Sequence, residues 1–189
     1  MKERIAQAAV HEIRQRGLKF SIRDVVSQLG ISTKTFYQYY ESKEELVTYI
    51  VEAAVRDMRE AEAELMKDDS LSTAQKLQKA LVIIPRGFVF TDMRVLQELQ
   101  QRYPAQWRIV DAYMNNGWDN IRLLVQEGSA NGEFRSFDLE LFIRVYVGAL
   151  YHLMDNQVAG RNEMPIEKAL VQMVEFLLVG IFKDGNTVE

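Results

Sequence analysis

The sequence predicts an all-α protein with a small N-terminal domain and a larger helical body. Apolar residues recur at the 3.6-residue period of amphipathic helices along most of the 189-residue chain. Glycine, proline and serine separate these segments, and no apolar-polar alternation is long enough for a sheet. We therefore expect a three-helix domain over 1–46 and a helical bundle over 47–189.

The first predicted helix runs from Lys2 to Gln15 and ends at Gly17. Its apolar face consists of Ile5, Ala8, Ala9 and Ile13. Phe20 follows as an expected core residue. We expect this helix to pack behind the next two helices.

A short helix, a glycine turn and another helix come next. Ser21 is the predicted N-cap of the first, with Asp24 three residues later. Its apolar residues fall at i, i+3, i+4 and i+7, and they are Ile22, Val25, Val26 and Leu29. Gly30 ends this helix because glycine tolerates a left-handed turn, and Ser32 can cap the next one. This arrangement predicts a helix-turn-helix.

The second helix of this motif has a polar outward face. At 100° per residue, Phe36 and Tyr40 point inward. The outward and flanking residues are Lys34, Thr35, Tyr37 and Gln38. In a DNA major groove, Gln pairs with adenine, Lys with guanine and a Thr methyl with thymine, while Tyr and Ser hydroxyls bind phosphate. Because most surface helices have a polar face, a merely solvated helix is the alternative.

The residues from Gly30 to Leu46, GISTKTFYQYYESKEEL, resemble the DNA-binding signature of the TetR family of transcriptional regulators. The resemblance departs at Lys34, where the family often has Gly or Ala, and at Tyr40, where Phe is usual. It implies a dimeric, all-helical repressor whose C-terminal helices bind a small molecule. The candidate DNA-binding residues are Ser21, Arg23, Ser32, Thr33, Lys34, Thr35, Tyr37, Gln38, Tyr39 and Lys43.

A long helix is predicted from Ser42 to about Met66. Ser42 and Glu45 form a capping box, which leaves other first-turn amides facing outward. Lys43 lies at the positive end of this helix, where an anion is favoured. The family resemblance places a phosphate-contacting lysine at this position. The alternative is an exposed lysine beside acidic neighbours.

Charge is divided unevenly along the chain. The net charge is −4, but residues 1–45 carry eight Lys or Arg against six Asp or Glu, and the remainder carries 15 against 21. A mildly basic front on an acidic body suits a protein that presents one end to a polyanion. With no cysteine and no long apolar run or secretory signal, the sequence also favours a cytoplasmic protein.

Five further helices are predicted in the body. They cover Ser72 to Pro85, Thr91 to Arg102, Pro104 to Glu127, Asp138 to about Gln157 and Pro165 to about Phe182, with a loop over 128–132. The last two have wide apolar stripes, the second including Val174 and Leu177. We expect this pair to form a homodimer as a four-helix bundle across a two-fold axis, as the resemblance also implies. A hairpin inside one subunit's core is the alternative.

Aromatic and methionine side chains of the body are candidates for a ligand pocket, since rings and thioethers adapt to varied apolar molecules. The candidates are Phe88, Met93, Trp107, Tyr113, Met114, Trp118, Tyr151 and His152. Each can equally fill a core. The pocket and its small-molecule effector therefore depend mainly on the family resemblance.

Catalytic motifs are missing from the sequence. It contains no Walker loop, Rossmann fingerprint, Ser-centred elbow or metal-spaced His motif. We therefore expect no enzyme activity, no cofactor and no metal ion. The first hypothesis is a repressor that binds a palindromic operator in double-stranded DNA as a homodimer and is released by a small-molecule ligand. The alternative is an all-helical carrier or enzyme with a helix-turn-helix-like segment.

Overall fold

The structure is a computed structural model that describes residues 1–84, 93–153 and 166–181. In these ranges the regular elements are ten α-helices and a 3-10 turn, Gly17–Lys19. The helices are α1 Lys2–Arg16, α2 Ile22–Leu29, α3 Thr33–Tyr37, α4 Lys43–Met66, α5 Thr73–Leu81, α6 Met93–Arg102, α7 Pro104–Asn116, α8 Asp119–Ala130, α9 Leu139–Leu153 and α10 Ile166–Val179. The all-α prediction is confirmed. None of the described helices combines the length and apolar character needed to cross a bilayer.

The helix-turn-helix forms through the local signals that the sequence contains. Ser21 and Asp24 make a reciprocal capping box at the start of α2. Gly30 ends α2 with φ 65° and ψ 31°, a left-handed conformation that side chains with a Cβ rarely adopt. The Ser32 side chain then caps α3. The turn is therefore fixed by residues that are close in sequence.

The α4 helix joins the front of the molecule to its body. It spans 24 residues, about 36 Å at 1.5 Å per residue, and its buried stripe runs from Leu46 to Glu62. The core around α1–α3 continues along α4 and includes Leu99 and Trp107 from α6 and α7. The boundary predicted at residue 46 thus lies inside α4, and buried contacts cross it.

The segment predicted as one helix over 104–127 forms two helices, α7 and α8. The break lies at Gly117, where a Cβ would stand 2.8 Å from the Tyr113 carbonyl oxygen. The Trp118 indole donates back to the Met114 carbonyl at 2.7 Å, which helps to satisfy the end of α7. The periodic apolar stripe continues across this break, so periodicity alone could not locate it.

The loop predicted over 128–132 is also corrected. The α8 helix continues to Ala130, and Gly128 is buried within it. A Cβ at Gly128 would lie 2.2 Å from the Phe134 ring, so this glycine permits close packing inside a helix. Gly132, with φ 77°, makes the actual turn.

The body has its own core, built from α5 and α8–α10. Fully or nearly fully buried residues in it include Leu77, Leu124, Val174 and Leu178. The Tyr146 hydroxyl donates to the Leu81 carbonyl at 2.6 Å and fixes α9 against α5. Of the helices predicted over 138–157 and 165–182, the parts 154–157, 165 and 182 lie outside the described residues.

Candidate DNA interface and ligand cavity

The α3 helix presents polar side chains above an apolar base. Phe36 and Tyr40 are 0% and 1% exposed, as their inward direction predicted. The Tyr40 hydroxyl donates to the Lys2 carbonyl at 3.2 Å, which ties this base to α1. The exposed residues of the face are Lys34, Tyr37, Gln38 and Tyr39. The face is thus rigidly supported from below and open to a partner.

Two predicted contact residues are already used as helix caps. The Ser32 hydroxyl accepts the Thr35 amide proton at 3.0 Å and shares a hydrogen bond with the half-buried Thr35 hydroxyl. The Ser21 hydroxyl donates to Asp24 at 2.7 Å. Hydrogen bonds from Ser21 hold the pKa of Asp24 below its usual value. Arg23 and Thr33, two further candidate DNA-binding residues, are exposed beside these caps.

Lys43 is placed differently from the simple prediction of a phosphate contact. Its ammonium donates to the Leu18 carbonyl at 2.6 Å and lies 4.2 Å from the centre of the Phe20 ring. Burial lowers the pKa of Lys43. The side chain therefore binds inside the molecule, joining α4 to the turn after α1.

The same turn is held from α6. The Leu18 amide donates to the Glu98 carboxylate at 2.6 Å, opposite the bond from Lys43 to the Leu18 carbonyl. Gly17 has φ 65°, and a Cβ there would lie 2.5 Å from the Glu98 carboxylate. The backbone N–H and C=O of Leu18 are thus both bound by charged side chains, Glu98 from α6 and Lys43 from α4. We call Leu18, Lys43 and Glu98 the Leu18 clamp.

A cavity of about 150 Å³ lies between α4 and the helices of the body. Its wall is formed by Met58, Glu62, Ala80, Leu81, Ile83, Ile84, Leu96, Val110, Tyr113, Met114, Gly117, Trp118, Ile121, Tyr146, Leu150 and Leu170. Nearly all of these side chains are apolar or aromatic. This mainly apolar composition is that of a small-molecule site.

The predicted ligand residues are divided by the structure. Tyr113, Met114 and Trp118 line the cavity. Trp107 and Tyr151 pack against each other with ring centres 6.4 Å apart and are not in its described wall. The Tyr151 hydroxyl instead donates to Asp111. His152 is exposed and is not in the described wall, whereas Phe88 and the Met93 side chain lie outside the described residues.

The sequence analysis missed Glu62. This residue lines the cavity and is 8% exposed. Burial raises the pKa of its carboxyl, while the Asn120 side chain and Arg59 act in the opposite direction. Burial and the Glu62 charge in turn raise the pKa of Tyr113 to about 12. The available signal was its position: Glu62 continues the stripe of Val51, Val55 and Met58 at helical spacing, where an apolar residue is expected.

Apolar side chains are exposed on α9 and α10. Phe176 is 80% and Val179 72% exposed, and further examples on these two helices are Leu141, Val145 and Val171. Val174, by contrast, is fully buried within the subunit, so its expected place in an interface is wrong. The exposed apolar side chains of α10 are those of Val171, Phe176 and Val179.

Comparison with known proteins adds to this geometry. Residues 5–50 match the family described as bacterial regulatory proteins, tetR family. The uncharacterized HTH-type transcriptional regulator YvaF of Bacillus subtilis is 28% identical over 184 residues, covering 97% of each chain. A second Bacillus subtilis regulator, YvdT, is 45% identical over 51 residues, 26% of each chain.

Solved structures share the fold over nearly the whole chain. A TetR/AcrR-family regulator from Thermobifida fusca has a TM-score of 0.71 at 19% identity, covering 99% of this chain and 98% of its own. The regulator FadR from Bacillus subtilis, solved with stearoyl-CoA, has a TM-score of 0.65 at 18% identity, covering 95% and 99%. The helix-turn-helix and its exposed polar face thus lie within residues 5–50, which match the tetR family of bacterial regulatory proteins, and the solved regulators share the fold of nearly the whole chain.

Proposed function

We propose that the chain is a repressor that binds a palindromic operator as a homodimer and is released by a small-molecule ligand. The observation that carries this proposal is the α4 helix, which is shared by the DNA-facing front and the cavity. Its first residue, Lys43, holds the turn after α1, and Met58 and Glu62 line the cavity. A protein whose function requires the chromosome works in the cytoplasm of a bacterium, and we propose that location.

On DNA, we assign base reading to Lys34 and Gln38, which are exposed on α3. Tyr37, Tyr39, Arg23 and the cap region then face the phosphates. Because the Lys43 ammonium is bound to Leu18, we assign the phosphate at this point to the amides at the start of α4, whose dipole favours an anion.

Pairing of two chains follows from symmetry and exposed apolar area. A dimer would place two α3 helices about 34–36 Å apart, one turn of DNA, on a palindromic site. The exposed side chains of α9 and α10, above all Phe176 and Val179, suit a self-complementary interface. Two helices from each subunit would then form a four-helix bundle.

The effector proposed here is small. A cavity of about 150 Å³ is comparable to engineered cavities that hold one benzene molecule. FadR was solved with stearoyl-CoA, a much larger molecule, so the shared fold does not imply a shared ligand. Tyr113, Met114 and Trp118 are the predicted ligand residues that remain in this assignment.

A ligand in the cavity would act on the Leu18 clamp through two helices, α6 and α4, and DNA would be released as a result. Leu96 lines the cavity, and Glu98, two residues later on α6, binds the Leu18 amide. The α4 helix likewise joins the cavity residue Met58 to Lys43. A ligand that prefers the non-binding arrangement by about 3 kcal/mol would weaken operator affinity roughly 100-fold, and DNA would weaken the ligand equally.

The direct test is fluorescence anisotropy with labelled DNA from upstream of the protein's own gene, measured at several salt concentrations. We expect binding at least about 10³-fold tighter than to scrambled DNA, with affinity that falls as salt rises. Equal affinity for both DNAs, lost equally with salt, would favour the alternative of a carrier or enzyme. The matched control is the Lys34→Ala, Gln38→Ala variant, which should keep only the non-specific binding.

A further inference from the structure

The described wall of the cavity contains one carboxylic acid, Glu62, among mainly apolar side chains. Glu62 is 8% exposed and lies at the cavity end of α4. Two other polar atoms of the wall are already bound, the Trp118 indole to Met114 and the Tyr146 hydroxyl to Leu81. Among the described residues this leaves Tyr113 and Glu62 as the polar side chains that a ligand could meet, and the Asn120 side chain is a hydrogen-bond partner of Glu62.

An acid at this position is unfavourable for folding alone. Its place on the buried stripe of α4 would be filled by leucine or methionine at no electrostatic cost. No lysine or arginine is found in the described part of the wall. Arg59 is the nearest cation on α4, but it is exposed, with its guanidinium carbon 6.0 Å from the centre of the Tyr113 ring. The Glu62 carboxylate has the neutral Asn120 side chain as a hydrogen-bond partner and, within the described wall, no cation beside it, which suits a ligand that brings one.

We propose that the cavity binds a compact, mostly apolar molecule with one protonated amine, and that Glu62 accepts a hydrogen bond from this amine while Tyr113 places its ring and hydroxyl beside it. This inference rests on the proposed function, because it names the class of the effector for the same cavity. The volume of about 150 Å³ suits a body about the size of one ring. The apolar wall from Leu96 to Ile121 would surround that ring, and the charge-assisted bond to Glu62 would fix its orientation.

Three single-ring compounds separate this class from others, and they are benzylamine, benzyl alcohol and benzoate. Their ring and one-carbon head are matched, whereas their head groups are cationic, neutral and anionic. Calorimetric titration should give benzylamine an affinity about tenfold or more above that of benzyl alcohol, with benzoate weakest. Quenching of Trp118, which lines the cavity, should follow the same order.

Glu62→Gln keeps the side-chain shape and removes the charge, so it should remove the preference for benzylamine over benzyl alcohol. Glu64→Gln is the matched control, because Glu64 is exposed on the same helix and two residues away. It should keep the preference. Tyr113→Phe should reduce benzylamine affinity by a few-fold and leave the order of the three compounds unchanged.

Four results would overturn the proposal. They are equal binding of amine and alcohol, preferred binding of benzoate, an unchanged preference in Glu62→Gln, and no binding of any compound at millimolar concentration. The titrations contain no DNA, so they are independent of operator binding. Anisotropy with operator DNA, measured on the same samples, reports whether the proposed regulatory function fails instead.

Discussion

The polar side chains of the α3 face are exposed to solvent, whereas the polar side chain of the cavity is buried. On α3, exposed polar side chains stand above fully buried Phe36 and Tyr40, so recognition and stability belong to different residues. In the cavity, the polar residue Glu62 is itself buried among the apolar groups that hold the body together. Changes to the α3 face should therefore alter binding and leave stability unchanged, whereas changes in the cavity should alter both.

The largest effect is expected from a variant that tests whether the α3 face binds its operator only in a dimer. A Phe176→Asp, Val179→Asp variant places two charges on each copy of an exposed apolar face, which would cost several kcal/mol in an interface. We expect a monomer in sedimentation velocity with at least about 100-fold weaker operator binding and unchanged helicity. A dimer that persists in this variant would place the interface elsewhere. Glu175→Asp, an exposed residue that keeps its charge, is the control.

The base of the α3 face should matter for stability alone. Phe36→Ala removes a ring that is 0% exposed, and such truncations cost about 3–5 kcal/mol of unfolding free energy. Urea unfolding would measure this loss. Tyr37→Ala, next in sequence but 55% exposed, should change the unfolding free energy by less than about 0.5 kcal/mol. Similar losses from both would contradict the division between base and face.

Lys43 tests whether the clamp or the DNA uses its charge. Lys43→Met keeps the length of the side chain and removes the bond to the Leu18 carbonyl, so we expect a loss of about 1.5–3 kcal/mol in unfolding free energy. The salt dependence of DNA binding should stay the same. A salt slope lower by about one, with unchanged stability, would instead assign the ammonium to a phosphate. Glu98→Gln should weaken the clamp from the other side.

Gln38 tests whether an exposed side chain of the α3 face reads DNA bases. Gln38→Ala should cost about 1–3 kcal/mol at particular operator positions and nothing in thermal unfolding, because the side chain is exposed. A panel of single-base operator variants would detect the change. A loss that is equal on every sequence would remove Gln38 from the base-reading residues.

The smallest expected effect is in the cavity. Burial raises the pKa of Glu62, so the folded protein holds its proton more tightly than the unfolded chain does. This contribution to stability is complete below about pH 4.5, the ordinary value, and is lost as pH rises through the folded-state pKa. Glu62→Gln should therefore match the wild type near pH 4 and be more stable at pH 8, on the order of 1 kcal/mol.

Chemical denaturation at the two pH values would measure the difference. Glu64→Gln, at an exposed position, should show no such dependence. A Glu62→Gln variant that is less stable than the wild type at pH 8 would mean that the charged carboxylate is bound within the protein.

How far each region could be predicted follows from the range of its interactions. The α3 face depends on caps and a turn within a few residues, so Ser21, Gly30, Ser32 and the inward Phe36 were identified from sequence. The cavity is instead formed by α4 together with residues spread from Ala80 to Leu170. Trp107 and Trp118 have the same chemistry and periodicity, yet only Trp118 lines the described wall. The break at Gly117 and the inward course of Lys43 likewise depend on tertiary contacts.

The unbroken course of α4 gives it mechanical leverage. Lys43 and Glu62 are 19 residues apart on one helix, about 28 Å at 1.5 Å per residue. A rotation of about 5° around the cavity end would carry the Lys43 end roughly 2.5 Å, by the geometry of a rod of that length. Hydrogen bonds to bases tolerate only a few tenths of an ångström. A small shift of the cavity wall can therefore move the DNA-facing end of α4 by a distance larger than hydrogen bonds to bases tolerate.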